Sequence, residues 1–493
     1  MAATLYADKT PAQIRDGRLP NNVCRFGRTR ERERSLGVDH WNFPDFGMSC
    51  AHVRVREDPP ITFRGDLGSQ AAFVDFRLYL PRLLADYRDR GGVVVDVADA
   101  RTALAQYGAD HDLMVVATGG RGLADDHFPR IPHRSADRPA RVLLAGLFHG
   151  VAHTDPMGMH LEIVPGVGEI FQTPVHSVIG RVAGITFEAV PGGPWDALVR
   201  RNYYDDPVAC ADAVRELIAG TEIAERVDPA RFALTRPLDL LQGTVTPTVR
   251  TPWARLKSGG YLVAVGDAAV LNDPVTGQGG NLAVAAAWEL GRVIVDEAVF
   301  DERFCRAWAD QLWELSRDVT EWTASALGPP PTQVFDVFRA ASKDQDVANA
   351  YLDNFDDPRA MWSAMATPQR AAAFLGRVTA GITACVPDRA VVDRELRLLD
   401  ALGHEQPHVL SGLMAPDGVL VDEHGCHFPD SRPRDAGESD RPVGMSVVRL
   451  ADTAELVTYR QRGRHCSTVW RRDTNTGWTA AVHHRSPTPE EKP

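Results

Sequence analysis

A glycine-rich loop between a predicted strand and a predicted helix has the composition of a ligand-binding turn. It consists of Gly266-Asp267-Ala268-Ala269, followed after a short gap by Asp273-Pro274-Val275-Thr276-Gly277-Gln278-Gly279-Gly280-Asn281. Its glycines permit close backbone approach and positive φ, and the helix would direct its N-terminal amides at an anion or an electron-rich ring edge. Asp267 could accept hydrogen bonds from sugar hydroxyls. The alternative interpretation is a purely structural glycine turn.

The spacing G-D-x6-P-x2-G-x-G-x-N resembles the third flavin-contacting motif of the aromatic-hydroxylase class of flavoproteins. In that class the aspartate meets the ribityl chain and the helix N-terminus faces the isoalloxazine. The resemblance therefore implies a set of FAD-contacting residues. These are Gly266, Asp267, Pro274, Gly277, Gly279, Gly280 and Asn281.

Further segments narrow the resemblance to one family. They are Arg64-Gly65-Asp66-Leu67, Val74-Asp75-Phe76-Arg77-Leu78-Tyr79-Leu80-Pro81, Tyr204-Asp205-Asp206-Pro207, Leu238-Asp239-Leu240-Leu241-Gln242-Gly243 and Asp353-Asn354-Phe355. In order and type they resemble segments of the flavin-dependent styrene monooxygenases (oxygenase component), over about three quarters of the chain.

This resemblance implies a two-component monooxygenase. A separate NAD(P)H-dependent flavin reductase would supply reduced FAD, and the C4a-hydroperoxyflavin formed with O2 would epoxidise or hydroxylate an aromatic or indolic alkene. Because the flavin supplies the oxidant, no catalytic side chain is expected from the protein. The family also implies a homodimer.

Two further residues are assigned to the flavin site by resemblance alone. Arg18 and Asn21 match an arginine and an asparagine that lie near the flavin in the turn after the second strand of the family. The alternatives are a solvated loop arginine and a turn-forming asparagine. Trp41, Phe43 and Phe46 could line a substrate pocket, although aromatic residues at such spacing more often belong to a core.

The elements that must position this loop indicate an α/β fold. The apolar runs Val93–Val95 and Asp112–Gly119 predict buried parallel strands, a helix is predicted over residues 71–92, and Tyr261–Val265 and Leu282–Ala298 predict the strand and helix flanking the loop. Between them, Val142–Leu147, His160–Val164, Glu169–Gln172 and Val182–Phe187 predict an antiparallel sheet.

We therefore expect a doubly wound FAD-binding domain of the aromatic-hydroxylase type with an inserted antiparallel substrate domain. The expected limits are 1–140 with 246–300 for the FAD-binding domain, 141–245 for the substrate-binding domain, 301–387 for a helical region, 388–486 for an α+β domain and 487–493 for a disordered tail.

The front of the chain departs from the family pattern. The match begins at the second strand, and no G-x-G-x-x-G for the FAD pyrophosphate occurs in the sequence. Either the start codon is placed too late by about 30 residues, or a central strand has been lost, which would expose side chains worth about 1.5–3 kcal/mol each. We favour the misplaced start.

The last hundred or so residues form the second departure. The predicted strands Ser446–Leu450, Glu455–Arg460, Cys466–Arg472 and Trp478–His483 resemble the closing strands of the cone-shaped domains similar to nuclear transport factor 2 (NTF2-like). His483 and His484 are neighbours on a strand and should face opposite ways, so a structural or solvated role is expected for them rather than a shared site.

Composition excludes several classes. The formal charge of -12 disfavours nucleic-acid binding. No apolar run is long enough to cross a bilayer and no signal peptide is recognisable, so a cytoplasmic protein is expected. The seven scattered cysteines predict neither disulfides nor a metal site.

Two alternatives stay open. The first is a truncated, non-catalytic relative that acts as a binding or scaffold protein, which the missing pyrophosphate segment supports. The second is a flavin-dependent halogenase, which the absence of the W-x-W element of that class disfavours.

Overall fold

A computed structural model describes residues 3–41, 47–257, 259–297, 299–379, 389–403, 407–422, 425–427, 443–451, 453–461, 464–473 and 477–487. The chain divides into two compact units, Met1–Ala372 and Ala373–Pro493. The expected limits of the four domains within this division stay predictions. None of the helices in the described ranges is long and apolar enough to cross a membrane.

Unit 1 begins with alternating short strands and helices. They are β1 (Thr4–Ala7), α1 (Pro11–Asp16), β2 (Cys24–Arg25), α2 (Gly27–Ser35), β3 (Gly47–Val55), β4 (Ile61–Val74), α3 (Phe76–Asp89), β5 (Val93–Asp96), α4 (Ala100–Tyr107), β6 (Leu113–Val116) and α5 (Leu123–His127).

A strand-rich section follows. It contains β7 (Val142–His149), β8 (Gly158–Val164), β9 (Gly168–Ser177), β10 (Gly180–Ala189), α6 (Asp196–Arg200), α7 (Pro207–Ile218), β11 (Ala233–Leu234), β12 (Leu240–Thr244), β13 (Thr248–Val249), β14 (Trp253–Arg255), β15 (Tyr261–Ala264) and β16 (Val270–Leu271).

Helices complete unit 1 after β16. They are α8 (Gly279–Asp296), α9 (Glu302–Leu327), α10 (Thr332–Ala341), α11 (Gln345–Asp353), α12 (Pro358–Met365) and α13 (Pro368–Thr379), the last of which crosses the division between the units. Residues 328–331 separate α9 from α10, and Asp357 directly precedes α12.

The largest sheet of unit 1 has the strand order β11-β7-β10-β9-β8-β3-β4-β2, with β12 also on β7. The four predicted antiparallel segments between residues 142 and 187 are confirmed as β7 to β10. The sheet is larger than predicted because β3 joins β8 in parallel and so brings β4 and β2 into it. Helices α6 and α7 cover one face with a core that includes Leu144, Phe187 and Val214.

The helix predicted over residues 71–92 is wrong at its start. Residues Ala71–Val74 are the end of β4, and the helix begins only at Phe76. The boundary is set by Asp75, whose side chain accepts a hydrogen bond from the backbone N–H of Arg77 and so caps the helix. Helix α8 likewise begins at Gly279 and not at Leu282.

The predicted parallel strands form two separate pairs. Strand β1 pairs with β5, and β6 pairs with β15, which is extended by antiparallel β14. Apolar side chains on these short strands are exposed: Leu5 by 40%, Val93 by 53% and Val115 by 46%.

Unit 2 consists of two helices and a sheet. The helices are α14 (Arg389–Gly403) and α15 (Pro407–Leu413), and the strands are β17 (Met414–Asp422), β18 (Gly425–His427), β19 (Val443–Ala451), β20 (Ala454–Gln461), β21 (Arg464–Asp473) and β22 (Gly477–Pro487). The strand order is β18-β17-β22-β21-β20-β19.

The sheet of unit 2 packs on Leu398, Leu402 and neighbouring residues of α14 and α15. The four predicted strands are confirmed, whereas β17 was not predicted because its sequence opens a stretch rich in Gly, Pro and Asp. The likeness to an NTF2-like domain stays a prediction, and residues 488–493 of the predicted disordered tail lie outside the described residues.

Candidate active site

The glycine-rich loop adopts the conformations that its glycines were expected to supply. Strand β15 ends at Ala264, Gly266 has φ 58°, and residues Gly266–Ala268 form a 3-10 turn. A second 3-10 turn follows at Pro274–Thr276, capped by Asp273, whose side chain accepts from the N–H of Val275 at 3.2 Å. Gly277 then takes the left-handed conformation, with φ 66°. A β-branched or bulky residue would be strained at Gly266 and Gly277.

The two glycines that begin α8 differ in their surroundings. A Cβ added to Gly280 would lie 2.5 Å from Cγ1 of Val23, so this glycine lets the segment before α2 pack directly on the helix. A Cβ added to Gly279 would meet nothing within 4 Å. The N-terminus of α8 therefore has open space beside Gly279, where its free amides and positive dipole end can meet a ligand.

Asp267 is half-buried at the end of β15, and burial raises the pKa of its carboxyl group. No other described side chain is seen to hydrogen-bond this carboxylate. A ligand hydroxyl could supply the missing donor. The open space at Gly279 and the free carboxylate of Asp267 fit the ring edge and the ribityl chain of a flavin.

Asn281 uses its side chain within the protein. Its Oδ1 accepts from Phe26 N at 3.1 Å and from Thr29 Oγ1 at 2.7 Å, and its Nδ2 donates to the carbonyl oxygens of Cys24 at 2.8 Å and Gly277 at 3.1 Å. This residue was expected to contact the cofactor. These hydrogen bonds hold β2 and α2 against the start of α8, and the expected contact of Asn281 with the cofactor stays a prediction.

Arg18 and Asn21 lie on the same incoming segment but are exposed. The guanidinium of Arg18 is 4.2 Å from the ring centroid of Tyr204 and donates to the carbonyl of Leu240 at 3.4 Å. Oδ1 of Asn21 accepts from the N–H of Asn22 at 2.8 Å. Asn21 lies close to the loop, because it is two residues from Val23, which contacts α8. Arg18 instead contacts residues of the strand-rich section.

A cavity of about 820 Å³ adjoins the second turn of the loop. Its lining is mostly apolar and comes from the large sheet, the loop and α9 to α12. The lining includes Val55, Leu161, Ile163, Phe171, Val275, Thr276, Trp322, Phe335, Phe338, Tyr351, Phe355 and Met365. This volume is within the range of small-molecule sites.

Three aromatic rings line the cavity beside the loop residues Val275 and Thr276. The ring centroid of Phe355 lies 5.3 Å from that of Trp322 and 5.7 Å from that of Tyr351, both edge-on. The carbonyl of Phe355 accepts a 2.8 Å hydrogen bond from Nε2 of Gln278, the residue just before α8. The predicted family segment Asp353-Asn354-Phe355 thus holds the cavity wall against the loop.

Of the suggested pocket aromatics, Phe43 and Phe46 lie outside the described residues. Trp41 packs near the ring of Tyr79, with centroids 5.8 Å apart, and near the guanidinium of Arg25. It does not line the cavity of about 820 Å³. For Trp41 the core interpretation is the better one.

One end of the cavity carries a buried ion pair. Arg141 donates to both carboxylate oxygens of Glu169, from Nε at 2.7 Å and from Nη2 at 2.8 Å. Behind it the carboxyl groups of Glu188 and Asp273 adjoin. Burial and the charge of the neighbouring carboxylates raise the pKa of Glu188 well above its usual range, and burial raises that of Asp273. The pair therefore holds a proton beneath the turn that Asp273 caps.

The sequence interpretation missed Arg141, Glu169 and Glu188. Glu169 and Glu188 stand on β9 and β10, and Arg141 directly precedes β7. From the sequence alone, a charged residue at such a position cannot be told from a solvent-exposed one, because the residues that oppose it are known only in the fold. No group of three or more potential metal-ligating side chains occurs in the part of the chain that the structure describes.

Comparison with known proteins gives the following. Residues 120–222 match the family model described as the putative substrate-binding domain of styrene monooxygenase A. The chain is 32% identical over 373 residues to the styrene monooxygenase StyA of a Pseudomonas species, covering 74% of this chain and 90% of that protein. The same values hold for the StyA of Pseudomonas fluorescens.

Solved structures share the fold. The p-nitrophenol 4-monooxygenase PnpA of Pseudomonas putida DLL-E4 is 14% identical and covers 73% of this chain and 92% of its own, with a TM-score of 0.51. A triple mutant of the flavin-dependent brominase Bmp2 is 13% identical and covers 77% of this chain and 93% of its own, with a TM-score of 0.50. At these identities the likeness concerns the fold alone.

Proposed function

Because this chain belongs to the styrene monooxygenase family, we propose that it inserts one oxygen atom of O2 into an aromatic or indolic alkene bound in the cavity beside the glycine-rich loop. It is an FAD-dependent monooxygenase of the two-component type. The expected reaction is epoxidation of a vinyl or indole double bond, or hydroxylation of the ring.

The observation that carries this proposal is the continuity of the loop and the cavity. Val275 and Thr276 belong to the loop turn and also line the cavity, which is bounded mostly by aliphatic and aromatic side chains. A flavin placed at the start of α8 would therefore stand at the mouth of an apolar chamber. A planar hydrophobic substrate is the class that such a chamber holds best.

The residues that would hold the cofactor are few. Asp267 would accept hydrogen bonds from the ribityl hydroxyls, Gly277 and Gly279 would allow the ring to approach the backbone, and the amides at the N-terminus of α8 would favour the anionic, reduced form. Reduced FAD supplies the oxygen-activating chemistry when it is bound.

The chain's own part in the reaction is to bind, orient and exclude water. The rings of Trp322, Tyr351 and Phe355 give the substrate flat contact surfaces next to the loop. The charges at the end of the cavity near Asp273 are neutralised against each other in the Arg141–Glu169 pair. No nucleophile or acid–base pair is needed among the lining side chains.

Two partners follow from this proposal. A separate NAD(P)H-dependent flavin reductase would deliver reduced FAD, and the enzyme would form a homodimer. Size-exclusion chromatography with light scattering measures the second point directly. A mass near twice 54.0 kDa is expected, and a monomer at all concentrations would contradict it.

Isotope incorporation tests the function. The chain is supplied with NADH, a flavin reductase, FAD and 18O2, and styrene or indole is offered as the alkene. Product carrying one 18O atom is expected from the wild type, and a loss of about tenfold or more from Asp267→Ala, against no loss from Asp110→Ala on the exposed surface. NADH consumption without labelled product from either alkene would favour the scaffold interpretation.

A further inference from the structure

The face of the large sheet opposite to the cavity carries a second, polar cluster. Leu161, Ile163 and Phe171 point into the cavity. Because side chains alternate along a strand, their neighbours His160 and Gln172 must point to the other face. These two residues are directly paired between β8 and β9.

Histidines and an arginine converge on this position, which we call the His160 cluster: His52, His153, Thr154, His160, Gln172 and Arg226. The ring of His52, on the adjoining strand β3, stacks on that of His160 with centroids 4.3 Å apart and 9° between the planes. Arg226 is brought over the sheet by a 3-10 turn, and its carbonyl accepts from the N–H of Ala152, which places His153 and Thr154 beside it.

The cluster contains buried polar atoms without a partner. They are Nδ1 of His153, Oγ1 of Thr154, Nε2 of His160, Nε2 of Gln172 and Nε of Arg226. His160 and Gln172 are only 6% and 1% exposed. Leaving buried donors and acceptors unmatched destabilises a fold, so a ligand or water is expected to meet them.

The unmatched atoms are chiefly donors. Arg226 donates from Nη2 to Oε1 of Gln172 at 3.0 Å, which fixes the orientation of the amide and leaves its NH2 group as the free end. The Nε–H of Arg226 can only donate, and the hydroxyl and the imidazoles can donate as well. A ligand that accepts several hydrogen bonds at once would satisfy the whole set.

The charges around the cluster favour an anion. The histidines lie in the electrostatic field of three cations, Arg226, Arg181 and Arg64. Burial together with this positive charge lowers the pKa of His52, of His153 and, to about 3, of His160. Arg226 is also attracted by the carboxylates of Glu222 and Glu225, and Glu222 forms an ion pair with Arg54 at 3.8 Å. No carboxylate is seen to accept from the five unmatched atoms among the described residues.

We propose that the His160 cluster is a buried binding site for a small oxyanion, such as phosphate, sulfate or a small carboxylate, behind the sheet that forms the cavity. Arg226 and the amide of Gln172 would donate hydrogen bonds to the anion, and Thr154 and the imidazoles would donate the others. This site is separate from the flavin loop and does not depend on the proposed function.

Inorganic phosphate is the probe. Thermal unfolding of the full chain is followed in increasing phosphate at constant ionic strength, with chloride as the reference. A saturable rise in Tm of about 2–4 °C is expected. In the same samples the imidazole signals of His160 and His153 should shift in NMR spectra.

Gln172→Glu is the decisive variant, because it places a carboxylate beside Arg226 while keeping the acceptor of the existing hydrogen bond. The variant should have a higher Tm than the wild type and should no longer respond to phosphate. Arg231→Glu is the matched control, because Arg231 is an exposed arginine five residues after Arg226. This variant should respond to phosphate like the wild type.

Three results would overturn the proposal. The first is a wild type whose Tm responds no more to phosphate than to chloride. The second is an equal response of the wild type and Gln172→Glu, which would place the bound phosphate elsewhere. The third is a Gln172→Glu chain that is less stable than the wild type or does not fold, since the buried carboxylate would then lack compensation.

Discussion

Arg77 donates from Nη1 to Oδ1 of Asp239 at 2.6 Å, with both side chains withdrawn from solvent. The same guanidinium donates to both carboxylate oxygens of Asp75, through Nε at 3.0 and 3.1 Å and Nη2 at 2.6 Å. Although burial opposes it, hydrogen bonds from Arg236, Thr235 and Arg77 lower the pKa of Asp239. Two family segments far apart in the chain thus meet in one buried ion network, which ties α3 to the strand-rich section.

Arg77→Met should destabilise the chain by about 3–5 kcal/mol, because it leaves the buried carboxylate of Asp75 without its cation and removes one of the two cations of Asp239. The midpoint of urea unfolding measures the change. Arg82→Met is the matched control: Arg82 is half-exposed on the same helix and pairs with Asp86, which keeps its contact with His40, so the loss should cost about 0–1 kcal/mol. Equal effects of the two substitutions would contradict the structural role of Arg77.

This network marks what the sequence could and could not predict. The strand, turn and helix around Gly266–Asn281 were predicted because glycine spacing and apolar periodicity are local signals. The ion network, the attachment of β3 to β8 and the cavity lining from α9 to α12 depend on residues that meet only in the fold. Asn281 is the clearest example. Its residue type and position predict a cofactor contact, but the sequence does not reveal that its side chain hydrogen-bonds to residues 24–29.

Phe335 should limit the size of the substrate. It lines the cavity and is half-buried, so Phe335→Ala enlarges the chamber without removing a fully buried ring. We expect the ratio of kcat/KM for vinylnaphthalene over styrene to rise by about tenfold. The two alkenes are offered in competition. Phe300→Ala, which removes a ring that packs on Phe304 away from the cavity, should leave the ratio unchanged. A ratio that is equal in all three proteins would place the substrate elsewhere.

Glu188 should make the chain less stable at higher pH. Burial and the adjoining carboxylates raise its pKa in the folded chain. A carboxyl group with a raised pKa contributes stability that is full below its unfolded pKa of about 4.3 and is lost as the pH rises towards the folded pKa. Glu188→Gln is neutral at every pH and escapes this loss.

The free energy of unfolding of Glu188→Gln should therefore match that of the wild type near pH 4 and exceed it increasingly from pH 5 to 8, by up to about 1.4 kcal/mol per pH unit. Thermal unfolding over this range measures the difference. Glu216→Gln, on the exposed side of α7, should show no such gain. If the stability of Glu188→Gln relative to the wild type instead falls as the pH rises, the carboxyl group of Glu188 is ionised in the folded chain.

Thr468 should hold the core of unit 2 together. Its Oγ1 donates to Oε1 of Glu395 at 2.7 Å and lies 2.7 Å from Nδ1 of His483, which must then be the protonated nitrogen. Burial raises the pKa of Glu395 and lowers that of His483 to about 3. His483 is buried and His484 is half-buried, in line with the expected alternation.

Thr468→Val should cost about 2–4 kcal/mol, since two buried groups lose their partner. Hydrogen exchange of the amides in β20 to β22 is the measurement, and faster exchange confined to these strands is expected. Thr479→Val, half-exposed on β22, should change little. Unaltered exchange in Thr468→Val would show that the hydroxyl is not the link between Glu395 and His483.

The most direct test of the flavin site is an anaerobic titration of the chain with FAD in its reduced and oxidised forms. We expect reduced FAD to bind at least about tenfold more tightly, because the N-terminus of α8 favours the anionic ring. Gly279→Leu places a side chain in the open space beside that terminus, where an added Cβ meets no atom within 4 Å, and it should abolish the preference while its Tm stays that of the wild type. Equal binding of the two forms, or reduced-FAD binding that is unaffected by Gly279→Leu, would contradict a flavin site at this loop.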